Sequence, residues 1–108
     1  MDQEQRQYHR IRYPLREQPT LLWAGKSYAV IEVSARGLRY RSSGRTPPLP
    51  GSSVRGALRF RRGVQVNVEA KVMRVQDEEV ALYLCDEIPF TVLMAEQRYL
   101  HSHYPMWS

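Results

Sequence analysis

The sequence predicts an all-β fold, a six-stranded antiparallel β-barrel with a polar arm at its N-terminus and one α-helix at its C-terminus. Three observations lead to this fold. Short runs of β-branched and aromatic residues are divided by turn signals, the clearest runs alternate apolar with polar residues, and only the last segment has helical character. Because no helix lies between the strands, an antiparallel barrel or sandwich is favoured over a parallel sheet, and a barrel also removes exposed edges.

At 108 residues, the chain is expected to form a single domain, 1–108, in three parts. Residues 1–19 are mostly polar and are predicted to form the N-terminal arm, and residues 20–86 the barrel. Residues 90–104 are predicted to form the helix, because prolines flank this segment on both sides.

The predicted strands follow one another along the chain. They are TLLW, KSYAVIEV and LRYRS, then, after a proline- and glycine-rich surface loop, VRGALRF, VQVNVEAKVMRV and VALYLC. Apolar residues alternate with arginine, glutamine and glutamate most clearly in the fourth and fifth runs. In the fifth run the phase of this alternation shifts near Met73, which predicts a β-bulge.

Two further features concern packing. Cys85 is the lone cysteine, so it cannot form an internal disulfide, and its place in an apolar run predicts a buried core residue. The apolar stripe of the predicted helix is interrupted by Glu96 and His103. We therefore expect this helix to pack on the barrel through a partly wet contact.

The residues do not favour an enzyme. No HExxH or CxxC spacing accompanies the histidines, no nucleophile elbow surrounds Ser34, and no glycine-rich loop precedes a helix. We therefore expect no catalytic residues, no metal and no cofactor. The sequence also lacks a secretory signal and an apolar run of membrane-spanning length, so we expect a cytoplasmic protein without a membrane span.

The net charge of +5 raises the question of an anionic partner. Sixteen basic residues outnumber eleven acidic ones, and all the basic residues except Lys26 and Lys71 are arginine. A guanidinium can hold a phosphate or a guanine edge through two hydrogen bonds, so the bias favours directed anion recognition. A GC-rich genome or an ordinary basic surface would produce the same composition.

Two motifs indicate where an anionic partner would bind. RQYHR, residues 6–10, places two arginines four residues apart in the arm. EVSARG, residues 32–37, lies where one strand ends and the next begins. On its spacing alone the second motif is typical of a hairpin turn in which Ser34 makes a local hydrogen bond and Gly37 supplies a positive φ.

Together the two motifs resemble those of the PilZ domain, the bacterial receptor module for cyclic di-GMP. RQYHR fits the RxxxR motif of that family. EVSARG fits its (D/N)xSxxG motif at Ser34 and Gly37 but has Glu32 where the family usually has aspartate or asparagine. Six predicted strands and a terminal helix extend the resemblance to nearly the whole chain. It implies a six-stranded barrel that holds the nucleotide on its outer surface, with the RxxxR arm folded across the ligand.

The resemblance also implies which residues bind cyclic di-GMP. Arg6 and Arg10 would hold its phosphates and guanines. Ser34 and Gly37 would shape the opposite wall, and the Glu32 carboxylate would accept hydrogen bonds from a guanine or orient an arginine. Secondary contacts are expected from Gln5, Tyr8, His9 and Arg36.

The leading hypothesis is therefore a cyclic di-GMP receptor that acts on a separate, unidentified effector protein. Two alternatives stay open. A PilZ-fold module could bind a partner protein without nucleotide, through the barrel and the helix with Tyr99, Tyr104 and Trp107. A basic barrel could instead bind single-stranded nucleic acid through interleaved Arg39 and Tyr40, although eleven acidic residues argue against nucleic acid as a partner.

Overall fold

Strands dominate residues 10–107, the part of the chain that this computed structural model describes. The strands are β1 (Ile11–Arg12), β2 (Thr20–Trp23), β3 (Lys26–Val33), β4 (Gly37–Arg41), β5 (Ser53–Arg59), β6 (Gln65–Gln76) and β7 (Glu79–Leu84). A 3-10 helix, Leu15–Glu17, joins β1 to β2, and the α-helix α1 spans Phe90–His103.

Six of these strands close into the predicted antiparallel barrel. Pairing runs β3–β2–β5–β6–β7–β4, and β4 pairs back with β3 to complete the ring. The short strand β1 is an addition that the sequence did not predict. It pairs with Val33 and Glu32 at the end of β3. The same two residues also pair with β4, on the opposite side of β3.

The barrel interior is filled by the alternating apolar residues of the strands. Fully or almost fully buried are Leu21, Val30, Val33, Tyr40, Val54, Leu58, Val72, Val80 and Leu84. Because Leu84 points inward, its neighbour Cys85 points outward and is exposed. The prediction of Cys85 as a core residue is therefore wrong: the alternation within its own run outweighs the apolar character of that run.

Residues 11–19 pack on the barrel, whereas the sequence suggested one polar arm over residues 1–19. Ile11 and Tyr13 are buried, and the Tyr13 amide donates a hydrogen bond to the Ile31 carbonyl oxygen at 3.1 Å. Apolar side chains at alternate positions are enough to attach this segment to the edge of β3. The sequence did not indicate this attachment, because two residues are too few to show a period.

The predicted bulge near Met73 is confirmed. The register of β6 against β7 shifts between Val72 and Arg74. An unbroken alternation would have turned Arg74 to the same side as the buried Val72. The extra residue instead leaves the Met73 and Arg74 side chains both exposed.

Helix α1 meets the barrel through Leu93, Glu96 and Leu100, which are buried and lie on one side of the helix. The two leucines belong to the same hydrophobic cluster as the barrel core. The Glu96 carboxylate accepts hydrogen bonds from the Tyr13 hydroxyl at 2.7 Å and from Arg62 at 2.8 and 3.1 Å. Glu96 thus lies on the packed face as expected, whereas His103 is exposed.

Within residues 10–107, no helix combines the length and the apolar character needed to cross a bilayer.

Candidate functional site

The turn between β3 and β4 carries two of the predicted site residues. Ser34 and Gly37 flank the two-residue loop Ala35–Arg36, and the Ser34 amide donates a hydrogen bond to the Gly37 carbonyl oxygen at 2.9 Å. Both loop carbonyl oxygens accept further hydrogen bonds, each 2.9 Å long, from the amides of Leu84 and Ile88. The turn is therefore held to the end of β7 as well as to its own strands.

Close approach, not a positive φ, explains the glycine at position 37. The backbone of Gly37 lies outside the left-handed region, so the prediction of a positive φ is wrong. A Cβ atom added to Gly37 would lie 2.9 Å from the Ser34 Oγ atom. Any side chain at position 37 would push the Ser34 hydroxyl aside. The motif therefore has a serine and a glycine three residues apart because the serine hydroxyl packs directly against the glycine.

Strand β1 brings Arg10 to the same turn. Ile11 pairs with Val33 and Arg12 pairs with Glu32, so β1 runs beside the end of β3. Arg10 is the exposed residue directly before β1 and lines a cavity together with Ser34. Two segments that lie about twenty residues apart in sequence thus meet at one place.

This cavity has a volume of about 130 Å³ and contains the four principal site residues that the structure describes, Arg10, Glu32, Ser34 and Gly37. Among the described residues, the other charged ones that line it are Arg39 and Arg74. Three guanidinium groups against one carboxylate make the cavity favourable for an anion.

The floor of the cavity is a row of residues that crosses four strands of the barrel. Glu32 on β3 pairs with Arg39 on β4, Arg39 pairs with Ala81 on β7, and Ala81 pairs with Arg74 on β6. Arg12 on β1 extends the row on the other side of Glu32. The small Ala81 side chain between two arginines leaves space above the sheet, and the bulge at Met73 turns Arg74 toward that space.

Glu32 lies between two arginines without a tight contact to either. Its side chain is only 12% exposed, and its carboxylate oxygens lie 3.8 Å from Arg12 Nε and 3.8 Å from Arg39 Nη1. These distances exceed those of hydrogen bonds, so the attraction is mainly electrostatic. The carboxylate attracts Arg39, which lines the cavity, and Arg12, which lies beside it, while the hydrogen-bond donors of both can still bind another anion.

Arg36, predicted as a secondary contact, is not among the described residues that line this cavity. Its guanidinium donates hydrogen bonds to the carbonyl oxygens of Leu84 and Cys85, at 3.3 and 3.0 Å, and lies 3.6 Å from the Glu87 carboxylate. Its contacts hold the β3–β4 turn to the segment after β7. The other predicted contacts, Gln5, Arg6, Tyr8 and His9, lie outside the described residues.

A family sequence model described as PilZ domain matches residues 4–101 of the chain. The chain belongs to the PilZ domain family. PilZ domains are the receptor domains for cyclic di-GMP; they bind ligands and are not a known family of enzymes.

The fold of the chain is also found in a solved structure. No curated protein is a significant sequence match for this PilZ domain. Its fold is similar to that in the crystal structure of the Legionella uncharacterized protein Lpg0364, with a TM-score of 0.61 and 16% sequence identity. The alignment covers 89% of this chain and 97% of the Legionella chain. At this identity the similarity concerns the fold alone.

Three arginines of this PilZ domain join the candidate site without having been predicted: Arg12, Arg39 and Arg74. The sequence indicated Arg39 only as part of an interleaved arginine and tyrosine pattern suited to nucleic acid. Outward alternation along β4 already indicates that its side chain lies on the outer surface. The approach of Arg39 to Glu32 depends on the register between β3 and β4, which cannot be read from the sequence.

Proposed function

We propose that this PilZ domain is a cyclic di-GMP receptor whose RxxxR segment orders over the nucleotide and thereby changes the surface that a partner protein recognises. The observation that supports the proposal is the gathering of Arg10, Glu32, Ser34 and Gly37 around one cationic cavity. Cyclic di-GMP has two phosphodiester anions and two guanine bases, and arginine can bind both kinds of group.

The size of the cavity indicates how the nucleotide would lie. A volume of about 130 Å³ is smaller than the roughly 300–1,000 Å³ of pockets that enclose small molecules. The nucleotide would therefore rest on the outer surface, with one edge over the row from Glu32 to Arg74. Its opposite face would be covered by the segment that begins at Arg10 and continues toward Arg6.

The energetics require more than the two arginines of the motif. Micromolar affinity corresponds to about 8 kcal/mol, whereas a hydrogen bond to a charged group contributes about 1.5–3 kcal/mol. Ordering a segment of the chain also costs conformational entropy. Arg39 and Arg74, together with stacking of a guanine on an arginine or on an aromatic ring such as Tyr8, supply the additional contacts.

Isothermal titration calorimetry at low salt tests this function. We expect the wild-type protein to bind cyclic di-GMP and Arg10→Ala to weaken binding by about ten-fold or more, since one charged hydrogen bond is lost. Arg6→Ala should have a similar effect. Arg59→Ala is the matched control, because Arg59 is exposed on β5 and does not line the cavity.

An amide NMR titration with the same ligand would locate the site. Shifts should concentrate in residues 5–12, in residues 30–40, which include Arg39, and at Arg74. The proposal is wrong if neither method detects binding, or if Arg10→Ala and Arg59→Ala bind with the same affinity as the wild type.

A further inference from the structure

A second and larger groove lies beside the candidate nucleotide site, between β1 and α1. Its volume is about 550 Å³, within the range of about 300–1,000 Å³ that is typical of binding pockets. Ile11 from β1, Met94 and Leu100 from α1, and Trp107 after the helix provide its apolar surface. The Trp107 indole donates a hydrogen bond to the Arg12 carbonyl oxygen at 2.6 Å, which holds this wall against β1.

Among residues 10–107, the charged residues that line this groove are all basic. Arg10, Arg12 and Arg98 line it together with His101, and no carboxylate residue is among the described residues that line it. Arg10 and Arg98 are exposed, and the Arg12 side chain is 61% exposed, so the guanidinium groups are accessible from solvent. An apolar surface with a cationic rim is complementary to a segment that carries apolar side chains and carboxylates.

The groove also shares residues with the nucleotide site. Arg10 lines both cavities. Arg12 lines the groove and lies 3.8 Å from Glu32 in the nucleotide site. An anion bound at one site would therefore pair with an arginine that the other site also uses, and would reduce the positive charge available there.

We propose that this groove is the docking surface for an acidic peptide segment of a partner protein, and that cyclic di-GMP weakens this docking by engaging Arg10. The effect of cyclic di-GMP rests on the proposed function, whereas the docking surface does not. The apolar side chains of the segment pack against Met94 and Trp107, and its carboxylates pair with Arg98 and Arg12. The partner is defined by this chemistry, apolar anchors flanked by aspartate or glutamate.

Peptide selection tests the docking surface without a known partner. A random peptide library displayed on phage is panned against the full chain, free of nucleotide. We expect enrichment of sequences that combine aspartate and glutamate with leucine or an aromatic residue. An absence of enrichment, or enrichment of peptides without acidic residues, would overturn the proposal.

Variants then assign the binding to the groove. For the best selected peptide, fluorescence polarisation should show affinity about ten-fold weaker with Arg98→Glu, because charge reversal places like charges together. Met94→Asp should have a similar effect. Arg59→Glu reverses an exposed arginine outside the groove and should change affinity by less than about two-fold, a small difference in free energy.

Two results would assign the groove to another occupant and refute the proposal. If Arg98→Glu and Arg59→Glu lower the affinity for the peptide equally, the peptide is held only by nonspecific attraction to the positive charge of the protein. If the protein forms a dimer that Arg98→Glu abolishes, the occupant is a second copy of the chain.

Coupling to the nucleotide is measured with the same peptide. Saturating cyclic di-GMP should lower the affinity for the peptide by about five-fold or more, since five-fold is the lower limit of typical allosteric coupling. No change in peptide affinity, while calorimetry confirms that the nucleotide binds, would refute the coupling. If calorimetry detects no nucleotide binding, the proposed receptor function fails, and the peptide selection still decides the docking surface.

Discussion

At the scale of single residues, Glu32 decides how the cationic cavity is arranged. Its carboxylate is largely buried and lies at the same 3.8 Å distance from Arg12 and Arg39. Arg39 also lies 3.8 Å from a carboxylate oxygen of Glu79, so two carboxylates attract it. Because all three contacts are longer than hydrogen bonds, the arginines are positioned by charge and keep donors for an incoming anion.

A shorter carboxylate at this position should strengthen nucleotide binding. Glu32→Asp withdraws the carboxylate by about 1.5 Å, one carbon–carbon bond. The charge is kept, so the carboxylate can still accept hydrogen bonds from a guanine, now at the side-chain length usual in the PilZ motif. We expect calorimetry to show about five-fold tighter binding of cyclic di-GMP, equivalent to roughly 1 kcal/mol, the contribution of one good hydrogen bond.

Glu32→Gln is the matched control for that change, because it keeps the length of the side chain and removes its charge. We expect it to bind no more tightly than the wild type. Weaker binding by Glu32→Asp than by the wild type would mean that the longer carboxylate is the fitted residue in this site.

At the scale of elements, a polar cluster joins α1 to the rest of the protein. Arg62, in the turn between β5 and β6, donates hydrogen bonds to Glu96 on α1 and to Glu17 in the 3-10 helix, the latter at 2.7 Å. Tyr13 and Tyr104 donate to the same two carboxylates, at 2.7 and 2.9 Å. The cluster adds directed hydrogen bonds to the hydrophobic contact that the two leucines of α1 provide.

Glu96→Ala should destabilise the protein strongly. The change leaves the buried Tyr13 hydroxyl without its acceptor and removes one of the two carboxylates that hold Arg62. Because Arg62 is still partly exposed to water, we expect a loss of about 2–3 kcal/mol in the free energy of unfolding. Denaturant-induced unfolding measures it.

Glu69→Ala is the control for Glu96→Ala. Glu69 pairs with Arg55 at 3.3 Å, but both side chains are more than half exposed. Such a surface pair contributes less than about 1 kcal/mol. Equal losses for the two variants would show that the buried cluster is no more important than an exposed ion pair.

At the scale of the whole molecule, the sequence was sufficient for the barrel because each strand carries its own local signal. Alternation and turn residues define six strands, and the phase shift at Met73 marks the bulge. Strand β1 has no such signal, since its pairing with β3 depends on distant residues. Cys85 was misassigned because the apolar run was given more weight than its alternation.

The site was predictable only in part, for a related reason. The RxxxR and SxxG residues can be found as motifs, and the structure brings Arg10, Ser34 and Gly37 together. Arg39 and Arg74 reach the same cavity only through the registers of β3 with β4, β4 with β7 and β7 with β6. Register is a property of the assembled sheet, and a one-residue slip would turn these side chains inward.

Buried ionisable groups, Glu17 and Tyr13 in the polar cluster and Tyr40 in the barrel core, make the stability of the domain depend on pH. Burial by itself would raise the pKa of Glu17, but hydrogen bonds from Arg62 and Tyr104 lower this pKa below its ordinary value of 4.5. Burial, with the nearby Glu96 charge, raises the pKa of Tyr13 well above its ordinary value of 10.0. Burial also raises the pKa of Tyr40 to about 12.

These shifts predict a loss of stability at both ends of the pH scale. Below pH 4.5 the unfolded chain protonates Glu17 before the folded protein does, so the contribution of Glu17 falls as pH decreases through its lowered folded pKa. Above pH 10 the unfolded chain ionises Tyr13 and Tyr40 first, so stability falls as pH increases. Urea unfolding from pH 3 to 11 should show both declines, and Glu17→Gln should flatten only the acid one. An acid decline of the same steepness in Glu17→Gln and the wild type would exclude Glu17 as its source.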